Sequence, residues 1–369
     1  MKWTEVKFSK NQINWAGNIL CNRIEEDKFN LNDAYKALEI LDNWRSAHAF
    51  PLHIFKNRLK KISRKLDKNS LVVQRLKRAP SVVKKLKREY GGKKATMKLS
   101  QMQDLGGCRS ILSNISLVKK LSEEYYHIDS NNKGYSCGIK HEFKQKKDYI
   151  TFPKSDGYRG IHLIYKYKSD KSDKYSGLLI EIQIRTELQH YWATAVETVG
   201  YFTGQAIKSN EGEEDWKRFF SLMSSVLASF EKCHLVPGTP VDKKDLFKEI
   251  NSLSLKLKVI EKMETWTKFL QFMERLDKEK QHKSHFYLLN LDLISGKLTI
   301  TPFEKNEEER ANEEYSKAER NALDKDNNID VVLVEADTSK DLKKAYPNYF
   351  LDTKEFVNIL KEYIKKGSN

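Results

Sequence analysis

Residues 148–186 read DYITFPKSDGYRGIHLIYKYKSDKSDKYSGLLIEIQIRT, a pattern that predicts a three-strand meander. In the last strand, alternate positions separate into an apolar set and a largely polar set: Leu178, Ile180, Ile182 and Ile184 against Leu179, Glu181, Gln183 and Arg185. This alternation is typical of a half-buried strand. Its apolar face joins a core, so its polar face lies over a cleft or over water.

The strand before it repeats the pattern. Tyr158, Gly160 and His162 share one parity, and residues 154–157, Lys-Ser-Asp-Gly, predict the turn ahead of them. An ordinary solvated sheet face is the competing interpretation, and for any one charged residue it is the more frequent outcome. A functional interpretation therefore depends on matching groups elsewhere in the chain.

Length and composition predict a globular protein of about two domains. The chain has 369 residues, of which 32% are charged and 39% hydrophobic, and no apolar run approaches the roughly 20 residues of a membrane span. The first residues, MKWTEVKFSKNQINW, lack the apolar segment of a secretory signal, which predicts a cytoplasmic protein without a membrane partner.

Cysteine spacing limits the metal sites and disulfides that the chain could form, and net charge limits the kinds of partner it could bind. Cys21, Cys108, Cys137 and Cys233 are far apart, which argues against structural zinc and against a disulfide framework. A formal net charge of +16 points to polyanionic partners, either nucleotides or RNA, although it can also serve solubility alone.

Hydrophobic periodicity divides the chain into four regions: an N-terminal helical region (1–66), a central domain (67–235), a helical connector (236–283) and a small C-terminal α/β module (284–369). Within the connector we expect a long helix over 242–280 that could cover the central domain, join domains or form a homo-oligomer interface. Within the module we expect a hairpin around 294–296, a helix over 307–323, a strand over 330–336, and helices near Lys340 and Thr353.

A second polar cluster is predicted around a short strand, 72–76, and the helix after it. Arg75 and Lys77 lie two apart and so project from one side of an extended chain. Pro80 suits the first position of a helix that ends at Gly91-Gly92. Three residues that could bind a phosphate share one face of that helix: Ser81, Lys85 and Arg88. Free amides, a hydroxyl and cations would form a phosphate cradle there, with a solvated basic helix face as the alternative.

Asp104 supplies a second acid just ahead of a Gly-Gly turn, with Arg109 five residues on. Asp before glycine is routine turn chemistry, so alone it predicts a turn. Together with Glu181 and the cations it completes the inventory of phosphoryl transfer, in which acids hold Mg²⁺ and cations neutralise phosphate charge. The chain has no GxxxxGK[ST] loop, and Tyr158 offers a surface on which a base could stack.

Four blocks in order carry a resemblance over about residues 57–201: RLKRAPSVVKK from Arg75, DLGGCR from Asp104, DYITFPKSDGYRGIH from Asp148, and EIQIRT from Glu181 with Trp192-Ala193 beyond it. This part of the chain resembles the synthetase domain of the RelA/SpoT family of alarmone synthetases. That family moves the β,γ-pyrophosphate of ATP to the ribose 3′-hydroxyl of GDP or GTP. The implied fold is α+β, with a mixed sheet flanked by helices, similar to nucleotidyltransferases of the polymerase β type.

The resemblance also implies roles for individual residues. The ATP side would be formed by Arg75, Lys77, Ser81, Lys85 and Arg109. Asp104 and Glu181 would bind Mg²⁺, and Glu181 would also take the proton from the attacking 3′-hydroxyl. Tyr158 would stack on the acceptor base, and the rest of that side would be lined by Lys154, His162, Gln183 and Arg185.

Departures from the family pattern leave the acceptor open. The chain shows no hydrolase module upstream, so it resembles the single-activity small synthetases, with an added region after His285. Gly160 stands where many members have serine, and Glu197-Thr198 stand where a histidine often follows Trp192-Ala193.

Several functions therefore remain open. We expect a pyrophosphokinase of the stringent response that makes guanosine tetra- or pentaphosphate. The nearest alternative is a toxin-type relative that modifies the 3′ end of tRNA, with the C-terminal module as a regulator or antitoxin in cis. Two further interpretations belong to other functional classes. One is a non-catalytic protein that binds nucleotides or RNA, and the other is a structural protein whose cations serve solubility alone.

Overall fold

The computed structural model describes residues 3–21, 30–90, 93–94, 96–128, 134–136, 140–170, 172–202, 213–265, 285–292, 298–324, 329–335 and 353–367. The first elements are helices, as predicted: α1 (Lys10–Leu20), α2 (Leu31–Ala47) and α3 (Ala49–Leu66). Polar caps begin the first two, because the Ser9 and Asn30 side chains accept hydrogen bonds from backbone amides of the first turn. Pro51 falls in the first turn of α3, where its missing N–H is harmless.

Strands and helices alternate in the central part of the chain. In chain order they are β1 (Leu71–Leu76), α4 (Ala79–Lys87), β2 (Glu89–Tyr90), β3 (Lys93–Lys94), β4 (Gly106–Leu112), α5 (Ile115–Tyr125), β5 (Tyr126–Ile128), β6 (Gly134–Ser136), β7 (Glu142–Asp148), β8 (Ile161–Lys166), β9 (Leu179–Thr186) and α6 (Glu187–Phe202). Five of the strands form one mixed sheet in the order β1-β4-β9-β8-β7, with β4 and β9 parallel and the other neighbours antiparallel. This is the predicted α+β architecture.

A meander of β7, β8 and β9 is present, but the predicted stretch 148–186 contains only its last two strands, because β7 precedes that stretch and reaches only Asp148. Ile180, Ile182 and Ile184 of β9 are fully buried in a core shared with α3 and α5, which stabilises the fold by about 2 kcal/mol for each side chain. The opposite face is more enclosed than the alternation predicts, since Glu181 and Arg185 are only 8% and 4% exposed. The reason is that β8 supplies a partner for the acid and α6 packs beside β9.

Helix α4 ends at Lys87 and not at the predicted Gly91-Gly92. Arg88 leaves helical geometry with a ψ of 138°, and β2 then pairs with β3. Strand pairing after Arg88 therefore replaces the last predicted helical turn.

A helical layer follows the sheet, with α7 (Glu214–Phe230), α8 (Lys243–Leu257) and helical residues 259–265. The long helix predicted over 242–280 is interrupted, because Lys258 has a φ of 51° and ends α8 in left-handed geometry. Residues 266–280 of that prediction lie outside the described part of the chain. Among the described residues, no helix combines the length and apolar character needed to cross a bilayer.

The last region contains β10 (Phe286–Asp292), β11 (Leu298–Phe303), α9 (Glu308–Asp324), β12 (Ile329–Glu335) and α10 (Lys354–Gly367). The three strands form an antiparallel sheet in the order β11-β10-β12, with α9 packed on it. The predicted hairpin, helix and strand are therefore present. The predicted turn at 294–296 and the helix near Lys340 fall outside the described residues.

Helix α10 does not join this small sheet, although the sequence assigns it to the same module. Its residues Phe356, Val357 and Leu360 form one apolar face and enter the core of α6, α7 and α8, beside Trp216 and Phe220. The region 284–369 is thus divided between two cores, because the apolar face of α10 packs on the larger aromatic surface.

Candidate active site

A cleft of about 670 Å³ opens on the polar side of the central sheet. Predicted site residues from separate segments line it: Arg75, Lys77, Ser81, Lys85, Asp104, Arg109, Lys154, Tyr158, His162, Gln183 and Arg185. Glu181 lines an adjoining cavity of about 70 Å³, together with Asp104 and Gln183. The fold therefore brings all the predicted site residues into one region.

Asp104 is held by two lysines. It lies in the turn before β4, and its carboxylate oxygens are 3.0 Å from Lys77 Nζ and 2.9 Å from Lys85 Nζ. Lys77 follows β1 directly, while Lys85 lies one turn along α4 from Ser81, so a strand and a helix aim both ammonium groups at one acid. Burial opposes ionisation of Asp104, but the two positive charges outweigh it and lower its pKa to about 2. Asp104 is therefore ionised at neutral pH.

Both oxygens of Glu181 are hydrogen-bonded. Oε1 is 2.9 Å from His162 Nδ1 of β8, and Oε2 accepts from Gln183 Nε2 at 2.7 Å. Burial favours the neutral acid, yet attraction and hydrogen bonding by the His162 ring outweigh it and hold the pKa of Glu181 below its usual value. His162 Nε2 in turn lies 2.6 Å from the Tyr158 hydroxyl. These four side chains form one hydrogen-bonded chain across the sheet.

The two acids reach the same cavity from neighbouring strands. β4 and β9 run parallel with Gly107 opposite Glu181, and Asp104 lies in the turn that leads into β4. The charge of Asp104 disfavours ionisation of Glu181, but the pKa of each remains lowered. Mg²⁺ typically takes one or two carboxylates and completes its shell with substrate phosphates and water, so this pair fits that ion. Among the described residues no cluster of three or more acid, histidine or cysteine ligands occurs.

The start of α4 differs from the predicted cradle of free amides. Pro80 has no N–H, the Ala79 N–H donates to Glu319 Oε1 at 2.8 Å, and the Val82 N–H donates to the Arg78 carbonyl. The side chains of the predicted cradle nevertheless line the cleft: Ser81, Lys85 and Arg88. Any anion at this position would therefore be bound mainly by side chains.

Two arginines occupy the polar face of the sheet. Arg109 Nε donates to Gln183 Oε1 at 3.1 Å, and Arg185 contacts His190 of α6. Burial lowers the pKa of Arg185 to about 9, and repulsion by Arg109 adds to the effect. An anion bound between these guanidinium groups would relieve that repulsion, so the pair is suited to a phosphate.

Tyr149, Tyr158 and His162 form an aromatic cluster beside Glu181, with ring centroids 5.4 to 5.8 Å apart and edge-on contacts. Lys154 Nζ lies 4.6 Å from the Tyr149 centroid and 5.4 Å from that of Tyr158. Burial raises the pKa of Tyr158 to about 12, so it is a neutral phenol. A base that stacks on Tyr158, as predicted, would meet Lys154 over the ring.

Residues 74–205 match a family described as "Region found in RelA / SpoT proteins". The matched segment is called the RelA/SpoT region, after this similarity. Two curated relatives from Bacillus subtilis match the chain: GTP pyrophosphokinase YjbM is 26% identical over 136 residues, and GTP pyrophosphokinase YwaC is 31% identical over 131 residues. The matches cover 35% and 34% of this chain and 56% of each relative, so the chain spans about half the length of the curated relatives it matches.

Solved structures of small alarmone synthetases are similar at low identity. The small alarmone synthetase 1 from Bacillus subtilis bound to its product pppGpp is 21% identical with a TM-score of 0.42, over 53% of this chain and 94% of that chain. A GTP pyrophosphokinase family protein from Streptococcus pneumoniae is 23% identical with a TM-score of 0.39, over 55% and 91%.

Sequence reasoning missed several cations of the cleft wall. Arg78 and Lys84 belong to the RelA/SpoT region, whereas Lys217 and Arg218 come from α7, outside it. The apolar stripe of α7 predicts a core helix, which is correct for most of its length. Lys217 and Arg218 interrupt this stripe between Trp216 and Phe219. This adjacent basic pair is the sequence signal that part of α7 faces the cleft.

A buried ion pair fixes the wall that carries Tyr158. Its neighbour Arg159 donates to Glu231 Oε2 at 2.9 Å, with side chains 2% and 5% exposed. Glu231 follows α7 and also accepts from the Thr186 hydroxyl and from Gln189 Nε2, at the junction of β9 and α6. One carboxylate after α7 therefore links that helix to two parts of the RelA/SpoT region: the segment before β8 and the junction of β9 with α6.

Arg159→Met should lower the free energy of unfolding by about 3 kcal/mol, because it leaves the Glu231 carboxylate buried without its cation. The matched surface change Lys36→Met breaks a pair with Glu39 whose side chains are 50% and 61% exposed, and should cost under about 1 kcal/mol. Urea denaturation followed by tryptophan fluorescence measures both. Equal effects of the two substitutions would contradict a special role for the buried pair.

Proposed function

We propose that this chain is a Mg²⁺-dependent pyrophosphokinase that transfers the β,γ-pyrophosphate of ATP to the ribose 3′-hydroxyl of GDP or GTP. The observation that carries the proposal is the meeting of two ionised acids, Asp104 and Glu181, in one cationic cleft of a RelA/SpoT region. The names of its relatives, GTP pyrophosphokinases, support the same reaction.

On the ATP side, the triphosphate would bind to Arg75, Lys77, Ser81, Lys85 and Arg109. Lys77 and Lys85 already neutralise Asp104, so phosphate oxygens would share these ammonium groups with the acid. Asp104 and Glu181 would hold Mg²⁺, which supplies positive charge to the phosphate oxygens as negative charge shifts during transfer. The remaining charge is offset by the two arginines of the polar face.

On the acceptor side, Tyr158 would stack on the base, with Lys154, His162, Gln183 and Arg185 around the ribose and its phosphates. The 3′-oxygen attacks the β-phosphorus of ATP, the bond from that phosphorus to the α,β-bridging oxygen breaks, and AMP leaves. Glu181 accepts the proton of the 3′-hydroxyl. The bond from His162 orients the carboxylate, whose lowered pKa keeps it ionised and ready to accept.

A second acceptor, the 3′ end of tRNA, is favoured by one observation. Cations beyond those needed for two nucleotides extend along the cleft wall from α4 and α7: Arg78, Lys84, Arg88, Lys217 and Arg218. A run of cations along a groove is how proteins follow a nucleic-acid backbone.

Incubation of the chain with γ-labelled ATP and either GDP, GTP or deacylated tRNA tests both acceptors. We expect the label in the guanine nucleotide. Label in tRNA alone would replace the first acceptor with the second. Absence of label from all three, with correctly folded protein and Mg²⁺ present, would contradict the proposed reaction and favour a non-catalytic binder.

A further inference from the structure

A buried cluster joins α9 of the C-terminal part of the chain to α2 and to the start of the RelA/SpoT region. Arg45 of α2 binds Glu319 of α9 through two contacts, at 2.7 and 3.0 Å, and the side chains are 3% and 5% exposed. The Tyr315 hydroxyl accepts from Arg45 at 2.8 Å and donates to Glu319 at 2.9 Å. This geometry is a two-pronged arginine–carboxylate pair with a third group that fixes its orientation.

The same cluster also forms hydrogen bonds with the backbone of the turn between β1 and α4. Arg45 Nε donates to the Lys77 carbonyl at 2.7 Å, and the Ala79 N–H donates to Glu319 Oε1 at 2.8 Å. Arg78, the residue before α4, does not cap the helix with its side chain. Glu319 therefore accepts the hydrogen bond of the Ala79 N–H, a helix-start donor that would otherwise need a local cap. A residue far along the chain thus fixes where α4 begins.

The turn at residues 77–79 and the helix that follows it carry the groups predicted to bind ATP phosphates. Lys77 lies within it, and Ser81 and Lys85 lie on the helix that it starts. Lys77 and Lys85 meet at Asp104 from the two sides of this turn. A shift of the turn would therefore change the spacing of both ammonium groups relative to the acid.

The small sheet also lies against β1. β12 contacts β1, and Leu333 of β12 lines a cavity of about 60 Å³ together with Arg75, Leu76 and Tyr315. The sheet and α9 thus contact both sides of the β1–α4 turn: its strand and its helix start.

Given the proposed function, on which this rests, we propose that Glu319 and Arg45 are positioning residues for the phosphate side of the cleft. Helix α9, which packs on the small C-terminal sheet, then supports the ATP site, because its docking sets the backbone of residues 77–79. Loosening this contact weakens ATP binding and leaves the acceptor side unchanged, since Tyr158 and Arg185 are fixed by other contacts.

Glu319→Gln and Tyr315→Phe in the full chain test this role. Each removes part of the cluster, and we expect about tenfold weaker ATP binding by calorimetry, the size of one or two net hydrogen bonds. GDP binding and kcat at saturating ATP should stay near the wild-type values. Glu314→Gln is the matched control, because Glu314 lies on the same helix in an exposed pair with Lys317, and we expect no change from it.

A double variant, Arg45→Met with Glu319→Leu, separates positioning from stability. Replacing a buried ion pair with apolar side chains often preserves or raises stability, whereas the Lys77 carbonyl and the Ala79 N–H still lose their partners. We expect a midpoint of urea denaturation above that of Arg45→Met alone, which leaves Glu319 buried without its cation, with ATP binding still about tenfold weaker than in the wild type. Wild-type ATP affinity in this variant, or equal losses of ATP and GDP affinity, would overturn the proposal.

The positioning role and the proposed reaction can fail separately. If the wild-type chain binds ATP and Glu319→Gln weakens that binding, but no acceptor is ever labelled, the positioning role stands and the proposed reaction fails.

Discussion

Glu181→Gln is expected to reduce pyrophosphate transfer by at least about 10³-fold while ATP binding stays largely intact. The substitution keeps the size of the side chain and a hydrogen-bonding oxygen, but it removes the negative charge that we propose holds a divalent cation and accepts the proton of the 3′-hydroxyl. The predicted ATP-side cations are untouched, because Glu181 pairs with His162 and Gln183 and not with Lys77 or Lys85.

Turnover is measured with labelled ATP and GDP, and ATP affinity by calorimetry on the same preparation. Glu142→Gln provides the matched control: Glu142 lies on β7 of the same sheet and pairs with Lys144 and Lys168 at the surface. We expect wild-type turnover from this control. Unchanged turnover in Glu181→Gln would remove Glu181 from the mechanism.

Asp104→Asn is expected to lower turnover by about 10³-fold or more and, in the absence of divalent cations, to tighten ATP binding. Turnover falls because one of the two carboxylates proposed to bind Mg²⁺ is lost. Binding without metal tightens because Lys77 and Lys85 no longer share their charge with Asp104. The opposite signs of these two effects distinguish a catalytic acid from a residue that only holds the fold.

The control for this variant is Asp170→Asn, an exposed acid paired with Lys140, which should leave both quantities unchanged. Weaker metal-free ATP binding in Asp104→Asn would contradict the geometry described for the two lysines.

The pH dependence of stability gives an independent check on Asp104. Asp104 has a pKa lowered from 3.8 to about 2, so its stabilising charge is present above its ordinary pKa and is lost as pH falls through about 2. The stability difference between wild type and Asp104→Asn, measured by urea denaturation, should therefore shrink as the pH is lowered from about 4 to 2.

Local patterns in the sequence predicted much of the sheet and of the site. The alternation around Glu181 predicted a strand, and the Gly-Gly turn after Asp104 predicted where β4 begins. Such features depend on neighbours two or three residues away, so they are visible in a single sequence. Tyr158 and His162 are hydrogen-bonded, but the strand predicted to carry both begins only at Ile161, so Tyr158 lies in the segment before β8. The roles of these residues remain predictions.

Other features depended on contacts between distant segments. The sequence predicts α10 as part of the C-terminal module, but its apolar face packs with Trp216 and Phe220. A phosphate cradle of free amides is also predicted at the start of α4, where Glu319 takes the Ala79 N–H. Periodicity shows that a face is apolar or that a donor lacks a local partner, but not which distant group will meet it.

By itself, the sequence determined the strands that carry the site, β1, β4, β8 and β9, together with the two acids and most of the cations of the cleft, because each is encoded by residue type and short-range spacing. The tertiary structure alone decided that Lys77 and Lys85 both pair with Asp104, that α7 contributes Lys217 and Arg218 to the cleft, and that α9 fixes the turn before α4. The physical reason is that charge pairing and burial act through space, between groups that the chain separates by tens to hundreds of residues.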